Sequence, residues 1–342
     1  MLGGDMRIQA FKKRFDKAFG RTLDRKTREM RALTQDAHTR SVIAHARTLA
    51  TAGGKRVRPY LAYLAYRAAG GKGERVIDTL VGLELFHVFA LVHDDIMDRG
   101  ESRHGVATAH VKFGDAQAIL VGDLLFNWAS EIIAPTKSQP IFAKMVDEVI
   151  LGQMLDVDAI RREKVTDRFI EDKMRLKTAS YSFIRPMQFG VAMADSSPTP
   201  PPRGGERGGA SLYRFCEQFG LPLGLAFQIQ DDLLDLTGTS KSLGKIVMND
   251  VKEGQKTVFT QFVSRDAKNR ALLNRMKGKT LTAADRKRFK KMFEESGAIE
   301  YGIEMMEMYF EEAVDVLEHS GLRRADKESY MELVRYLRIR AH

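Results

Sequence analysis

Long stretches of this chain repeat apolar residues at intervals of three and four, the spacing of one helix face. In VIDTLVGLELFHVFALVHDDIMD the apolar positions reach almost every side, so that helix is expected to be buried all round. Similar runs follow in AILVGDLLFNWASEIIA, MVDEVILGQMLDVDAI, LPLGLAFQIQDDLLDL and IEYGIEMMEMYFEEAVDVLEH. Alternating β-branched segments and Asn-Gly hairpin signals are almost absent. The pattern predicts an all-α chain of roughly ten or more helices. The opening segment MLGGDMRIQAFKKRFDKAFGRTLDRKTREMR mixes charges of both signs and lacks the apolar centre of a signal peptide, so it predicts an amphipathic helix.

Breaks between these runs are short: AGGKRVRP at 52–59, AAGGKG at 68–73 and PTKSQP at 135–140. The exception is SSPTPPPRGG at 196–205, continuing into ERGGA, with four prolines and four glycines between Pro198 and Gly209. Such a stretch cannot be helical. Because runs of like character flank it, it is expected to be an exposed, mobile loop at about 196–210 within a single domain spanning 1–342.

Composition changes this picture little. With 44% apolar and 29% charged residues the chain can build a core, and its sixteen methionines can fill irregular gaps in it. The one cysteine, Cys216, excludes an internal disulfide and fits a reducing compartment. No segment approaches an uninterrupted apolar span of about 18 residues, so no transmembrane segment and a cytoplasmic location are expected. The net charge of +10 points to anionic partners. RNA-module signatures and zinc-finger spacing are both missing, so nucleic acid is not an expected partner.

The chemistry-bearing feature is a repeated cluster. LVHDDIMD and FQIQDDLLD each place Asp-Asp-x-x-Asp behind an apolar run, at Asp94, Asp95 and Asp98 and at Asp231, Asp232 and Asp235. On a helix the residues four apart share a face, with the middle one about 100° around. Carboxylates set one turn apart repel unless a cation lies between them. Mg²⁺ suits that setting, since it binds through one or two carboxylates together with substrate phosphates. Basic residues in glycine-bearing turns supply anion contacts: Lys55, Arg56 and Arg58 in GGKRVRP, Arg103 in RHG, Lys177 beside Thr178 in RLKTAS, and Lys245, Asp250 and Lys256 in LGKIVMNDVKEGQKT. His87 lies two turns before Asp94, and Gln228 one turn before Asp232, each on a shared face.

Taken together, these residues resemble the trans-isoprenyl diphosphate synthases, the polyprenyl synthetase family, across about residues 50–260. The doubled DDxxD with GGKRVRP is a highly specific signal. The resemblance implies an isoprenoid-synthase bundle of antiparallel helices around a deep central cavity, usually as a homodimer. It implies a trans-prenyltransferase that condenses isopentenyl diphosphate with an allylic diphosphate, using three Mg²⁺ ions per site. By position, Asp94, Asp98 and Asp231 are the implied main metal ligands, with Asp95, Asp232 and Asp235 in support. Lys55, Arg58 and His87 are implied to grip isopentenyl diphosphate, and Arg103, Lys177 and Lys245 the allylic diphosphate. Thr178 and Gln228 are implied to turn oxygen dipoles toward the carbocation. Gln153 and Asp156 belong to a matching GQMLD motif, with Asp156 open to a purely structural role.

Two positions depart from the family pattern. His104 stands where a second arginine is usual, and Gln255 where a lysine is usual, with Lys256 next to it. His104 is expected to be charged only below about pH 6.5, leaving the isopentenyl site weaker or pH-sensitive. Chain length in the family is set by bulky residues below the metals. Phe89, five positions before Asp94 and about 7–8 Å down the helix, is such a residue, with the small Ala90 beside it. This favours a short C15–C20 product, geranylgeranyl diphosphate over farnesyl diphosphate, with a longer-chain polyprenyl synthase as alternative. A terpene cyclase lacks the second DDxxD, and a non-catalytic subunit usually loses aspartates that this chain retains.

Overall fold

The computed structural model describes residues 4–194, 209–238 and 248–339, and across them the chain is helical apart from one short hairpin. Lys245 and the stretch 196–208 of the expected loop lie outside the described residues. Helix α1 (Gly4–Ala32) is the expected amphipathic opening helix. It buries Phe11, Phe15, Phe19 and Leu23, one per turn, and the rings of Phe11, Phe15 and Phe19 stack in series 5.7 Å apart. Helix α2 (Ala37–Thr51) begins at Asp36, whose side chain accepts the Thr39 N–H. Helices α3 (Val57–Ala68), α4 (Val76–Met97), α5 (Ala109–Phe113), α6 (Asp115–Ile133) and α7 (Gln139–Arg161) follow.

By length and composition α4, the run expected to be buried all round, would also suit a membrane span, with a mean hydropathy of 1.6 over its best window. Most of that window is buried, and α4 packs on α1, α3 and, above all, α6, so its apolarity serves the core. Two glycines permit the close approach to α6. A Cβ on Gly82 of α4 would meet Ile133 at 2.7 Å, and one on Gly122 of α6 would meet the His93 ring at 2.2 Å.

Downstream come α8 (Asp167–Met174), a π-helical segment Arg175–Ile184, α9 (Arg185–Ala194) and α10 (Gly209–Thr237). Helix α10 begins well before the LPLGLAF run and carries Pro222 inside it. The lost backbone hydrogen bond is tolerated where burial is high: Phe215, Phe219, Leu223 and Ala226 are all buried, and both phenylalanines pack edge-on against Tyr330. Shorter helices at Asn249–Glu253 and Val258–Val263 precede the C-terminal helices Ala298–His319 and Arg324–Arg338. Over the described residues the packing divides the chain into two compact units, Met1–Phe142 with Pro186–Gly209, and Ala143–Arg185 with Ala210–His342.

The hairpin was not expected. Strands β1 (Ser102–Arg103) and β2 (Val106–Ala107) pair antiparallel through His104-Gly105, both with positive φ, at 51° and 77°. That is the two-residue turn which glycine and, less often, histidine accept in place of Asn-Gly.

Candidate active site

In the first unit, three segments carry the predicted residues. The GGKRVRP turn is anchored by Arg56, which adopts φ 57° and is 5% exposed. Its guanidinium donates to Asp16 of α1 at 2.9 Å and to Glu84 of α4 at 2.6 Å, and it lies over the Phe19 ring. Two carboxylates and an aromatic face satisfy the buried charge, so Arg56 holds the turn while Lys55 stays exposed and Arg58 half-buried. Glu84, a lone acid inside an apolar run, was the sequence signal for this anchor.

The end of α4 supplies Asp94, Asp95 and Asp98. Asp94 and Asp98 are half-buried, and the Asp98 N–H closes the helix on the Asp94 carbonyl at 2.8 Å. Asp95 is buried, and its carboxylate receives Arg103 of the hairpin through Nε at 3.1 Å and NH2 at 2.7 Å. Asp95 therefore orients Arg103 through a forked ion pair. His104 is exposed at the hairpin tip with its ring against the backbone of Gly53, where a Cβ would meet it at 2.8 Å. Burial, then the charges of Arg103 and Arg56, lower the His104 pKa from its usual value. His87 is pushed well down by burial, then by Arg58 and Arg103, so at neutral pH it is an uncharged hydrogen-bonding ring. Phe89 is half-buried in an aromatic group with Phe86 at 5.3 Å, Phe126 at 5.2 Å and His93 at 4.6 Å, and Ala90 is half-buried beside it.

In the second unit, Lys177 and Thr178 lie in the π-helical segment, a rare geometry concentrated at functional sites. Two glycines let neighbouring helices close on it. A Cβ on Gly152 of α7 would meet Lys177 N at 2.5 Å, and one on Gly224 of α10 would meet Ala179 Cα at 2.4 Å. Gly152 in LGQML and Gly224 in PLGLA were the only sequence signals of this seam. The segment hands its polar groups to both sides. Lys177 Nζ donates to Asp156 Oδ2 at 2.5 Å, while the Thr178 hydroxyl donates to Gln228 Oε1. Gln228 in turn donates to Asp232 Oδ1 at 2.7 Å. Gln153 is half-buried one turn before Asp156.

Asp156 also accepts from the buried Lys173 at 2.9 Å, and Lys173 donates to the Lys256 carbonyl at 2.7 Å. Burial would raise the Asp156 carboxyl, but Lys173 and Lys177 outweigh it and hold the pKa down to about 2. Lys256 is itself buried, with its pKa lowered by burial and by Lys277. Gln255, where a further lysine was looked for, is buried as well.

The second acidic cluster is arranged differently from the first. Asp231 is exposed, whereas Asp232 and Asp235 are buried. Asp235 accepts the Asp250 N–H through its carboxylate at 3.0 Å and the Met248 N–H through its carbonyl at 2.8 Å, fastening the segment after α10. Burial pushes the Asp232 carboxyl up to about 7; Lys173 and Gln228 counteract this, while Asp231 and Asp235 add to it. The donor set fits a hard divalent ion: carboxylate oxygens, with crowded negative charge that a cation would relieve. Among the described residues no group of three or more His, Cys, Asp or Glu side chains converges on one point as a metal site.

Comparison with known proteins agrees with this chemistry. A profile of the polyprenyl synthetase family matches residues 40–296. The geranylgeranyl diphosphate synthase of Methanosarcina mazei is 35% identical over 223 residues, 62% of this chain and 64% of that protein, so the match spans less than two thirds of that relative. The geranylfarnesyl diphosphate synthase of Aeropyrum pernix is 31% identical over 288 residues, 84% of this chain and 90% of that one. A geranylgeranyl pyrophosphate synthase of Corynebacterium glutamicum, solved in complex with isoprenyl diphosphate and magnesium, superposes with a TM-score of 0.83 at 26% identity, over 96% of this chain and 98% of that one.

Proposed function

The chain belongs to the polyprenyl synthetase family, and we propose that it is a cytoplasmic, Mg²⁺-dependent, short-chain trans-prenyltransferase whose main product is geranylgeranyl diphosphate. The allylic C–O bond breaks and pyrophosphate leaves. The double bond of isopentenyl diphosphate closes on the allylic carbon, and loss of one proton to pyrophosphate completes a chain five carbons longer. Bound Mg²⁺, three ions by family resemblance, would supply the positive charge that lowers the cost of the departing diphosphate. Asp94, Asp98 and Asp231, the accessible members of the two clusters, would hold it.

The protein's own groups do the rest. Lys177, held by Asp156, and Arg103, held by Asp95, present fixed cations to the allylic diphosphate. Lys55 and Arg58 take the diphosphate of isopentenyl diphosphate, with His87 as a neutral partner beside them. The Thr178–Gln228 pair offers oxygen dipoles to the cation formed at carbon. The Phe86–Phe89–Phe126 group limits tail length. Exposed apolar residues Ile150, Leu151, Met154 and Val157 form one stripe along α7, which a second copy of the chain would cover to give a homodimer.

The observation that carries this reading is the joint presence of two DDxxD turns, each late in a long apolar helix, and a GGKRVRP turn whose buried Arg56 leaves Lys55 exposed and Arg58 half-buried. The test is incubation with isopentenyl diphosphate, Mg²⁺ and each allylic diphosphate from C5 to C15, followed by chromatography of the products. A C20 product that disappears with a chelator is expected. Turnover untouched by the chelator, or no elongation of any starter, overturns the reading. Phe89→Ala is expected to shift the products beyond C20.

A further inference from the structure

Between α1 and α2 lies a cavity of about 550 Å³ lined by Asp24, Thr27, Arg28, Arg31, Arg40 and Arg47. We propose that it is a binding site for a small phosphate-bearing anion, separate from the groups assigned to the prenyl transfer above. Its volume is that of a small-molecule site. On α1, Asp24, Thr27, Arg28 and Arg31 follow the i, i+3, i+4, i+7 rule and share one face; on α2, Arg40 and Arg47 lie two turns apart on another. Four guanidiniums therefore line one cavity with a single carboxylate, which is already taken by Arg47 at 2.6 Å.

Helix capping explains part of this cluster. Arg40 Nε donates to the carbonyls of Arg31 and Thr34 at 3.1 and 2.8 Å, closing the end of α1, and Arg31 in the last turn complements the helix dipole. Capping accounts for neither Arg28 nor Thr27. Glu29 pairs with Arg25 and Asp24 with Arg47, and among the described residues no ion pair is seen for Arg28 or Arg31, both of which are exposed. Thr27 is 6% exposed, lines the cavity, and its hydroxyl has no hydrogen-bond partner there. A buried hydroxyl normally finds a partner. An oxyanion seated between the arginines would accept from two guanidinium forks, a geometry that planar arginine side chains match to phosphate oxygens, and a turn of Thr27 about χ1 would bring its enclosed hydroxyl toward the anion.

Arginine-specific modification with phenylglyoxal, read peptide by peptide, tests this on the full chain with inorganic pyrophosphate as the probe. Pyrophosphate is expected to protect Arg28 and Arg31 at least several-fold. Thr27→Val, which keeps the volume and removes the hydroxyl, is expected to raise the pyrophosphate concentration needed by about tenfold. Unchanged modification rates at Arg28 and Arg31 under excess pyrophosphate overturn the proposal. Protection by phosphatidic acid vesicles but not by pyrophosphate also overturns it, in favour of a lipid headgroup. If Thr27→Val raises thermal stability yet leaves protection unaltered, the hydroxyl is only an ill-placed core group and the site as built here is wrong.

Discussion

The two Asp-Asp-x-x-Asp turns are nearly identical as strings and unlike as structures. At the end of α4, Asp94 and Asp98 remain accessible and only Asp95 is drawn inward, by Arg103. Late in α10 the proportion is reversed. Asp231 faces solvent, while Asp232 leans on Gln228 and Asp235 fastens the backbone of Met248 and Asp250. One spacing therefore takes two arrangements, and a residue's place in the motif does not settle whether its carboxylate stays accessible or is drawn into the fold. The partners around it settle that: a hairpin arginine in one case, an incoming backbone N–H in the other.

The sharpest way to break this comparison is to remove an accessible carboxylate. Asp94→Ala and Asp98→Ala are each expected to lower kcat by roughly 10³-fold, several kcal/mol of lost charge stabilisation, with little change in thermal stability. Asp235→Ala should do the reverse at the matching position. It is expected to destabilise the fold by about 1–3 kcal/mol, since the half-buried Asp250 N–H loses its acceptor, as measured by urea unfolding. Equal stability losses in Asp98→Ala and Asp235→Ala would erase the distinction.

Asp156 sharpens it within the second unit. Removing its carboxylate leaves Lys173 buried without that partner, so Asp156→Ala is expected to cost about 3 kcal/mol or more. The pH dependence follows from its pKa, about 2 in the folded protein against 3.8 for the ordinary group. The folded state binds this proton less readily, so the stabilisation is complete above pH 3.8 and lost as pH falls toward 2. Its extent is roughly 2 kcal/mol, and the Asn variant should lack that part of the acid limb.

The smallest expected effect is at the hairpin tip. His104 titrates below its usual value, so it is neutral at pH 7.5, and His104→Gln should change kcat/KM for isopentenyl diphosphate by less than about twofold. His104→Arg should improve it several-fold by adding a fixed charge. His87 and His104 both have lowered folded pKa values. The stability they contribute is therefore intact above about pH 6.5 and lost as pH falls below it. A tenfold loss in His104→Gln at pH 7.5 would show that the ring is charged there after all.

Much of this was legible beforehand because it is local. The apolar runs became α4, α6, α7 and α10 since helical periodicity depends only on near neighbours. Other features were missed for the opposite reason. The His104-Gly105 turn lacks the usual Asn-Gly signal, and α10 runs back beyond the LPLGLAF run to Gly209, its buried surroundings outweighing the hydrogen bond that Pro222 removes. The anchoring of Arg56 by Asp16 and Glu84 joins residues far apart in sequence, and no spacing rule connects them.

By itself, the sequence determined the helical class, the family and the residue types that can meet metal and diphosphate, because periodicity and clustered charge are written in adjacent positions. Only the tertiary structure decided which carboxylates stay accessible, which cations are held in place, and that Lys177 rides on a π-helical turn wedged between two glycines. Those outcomes depend on desolvation and on partners supplied by distant segments, and both come into being only when the chain has packed.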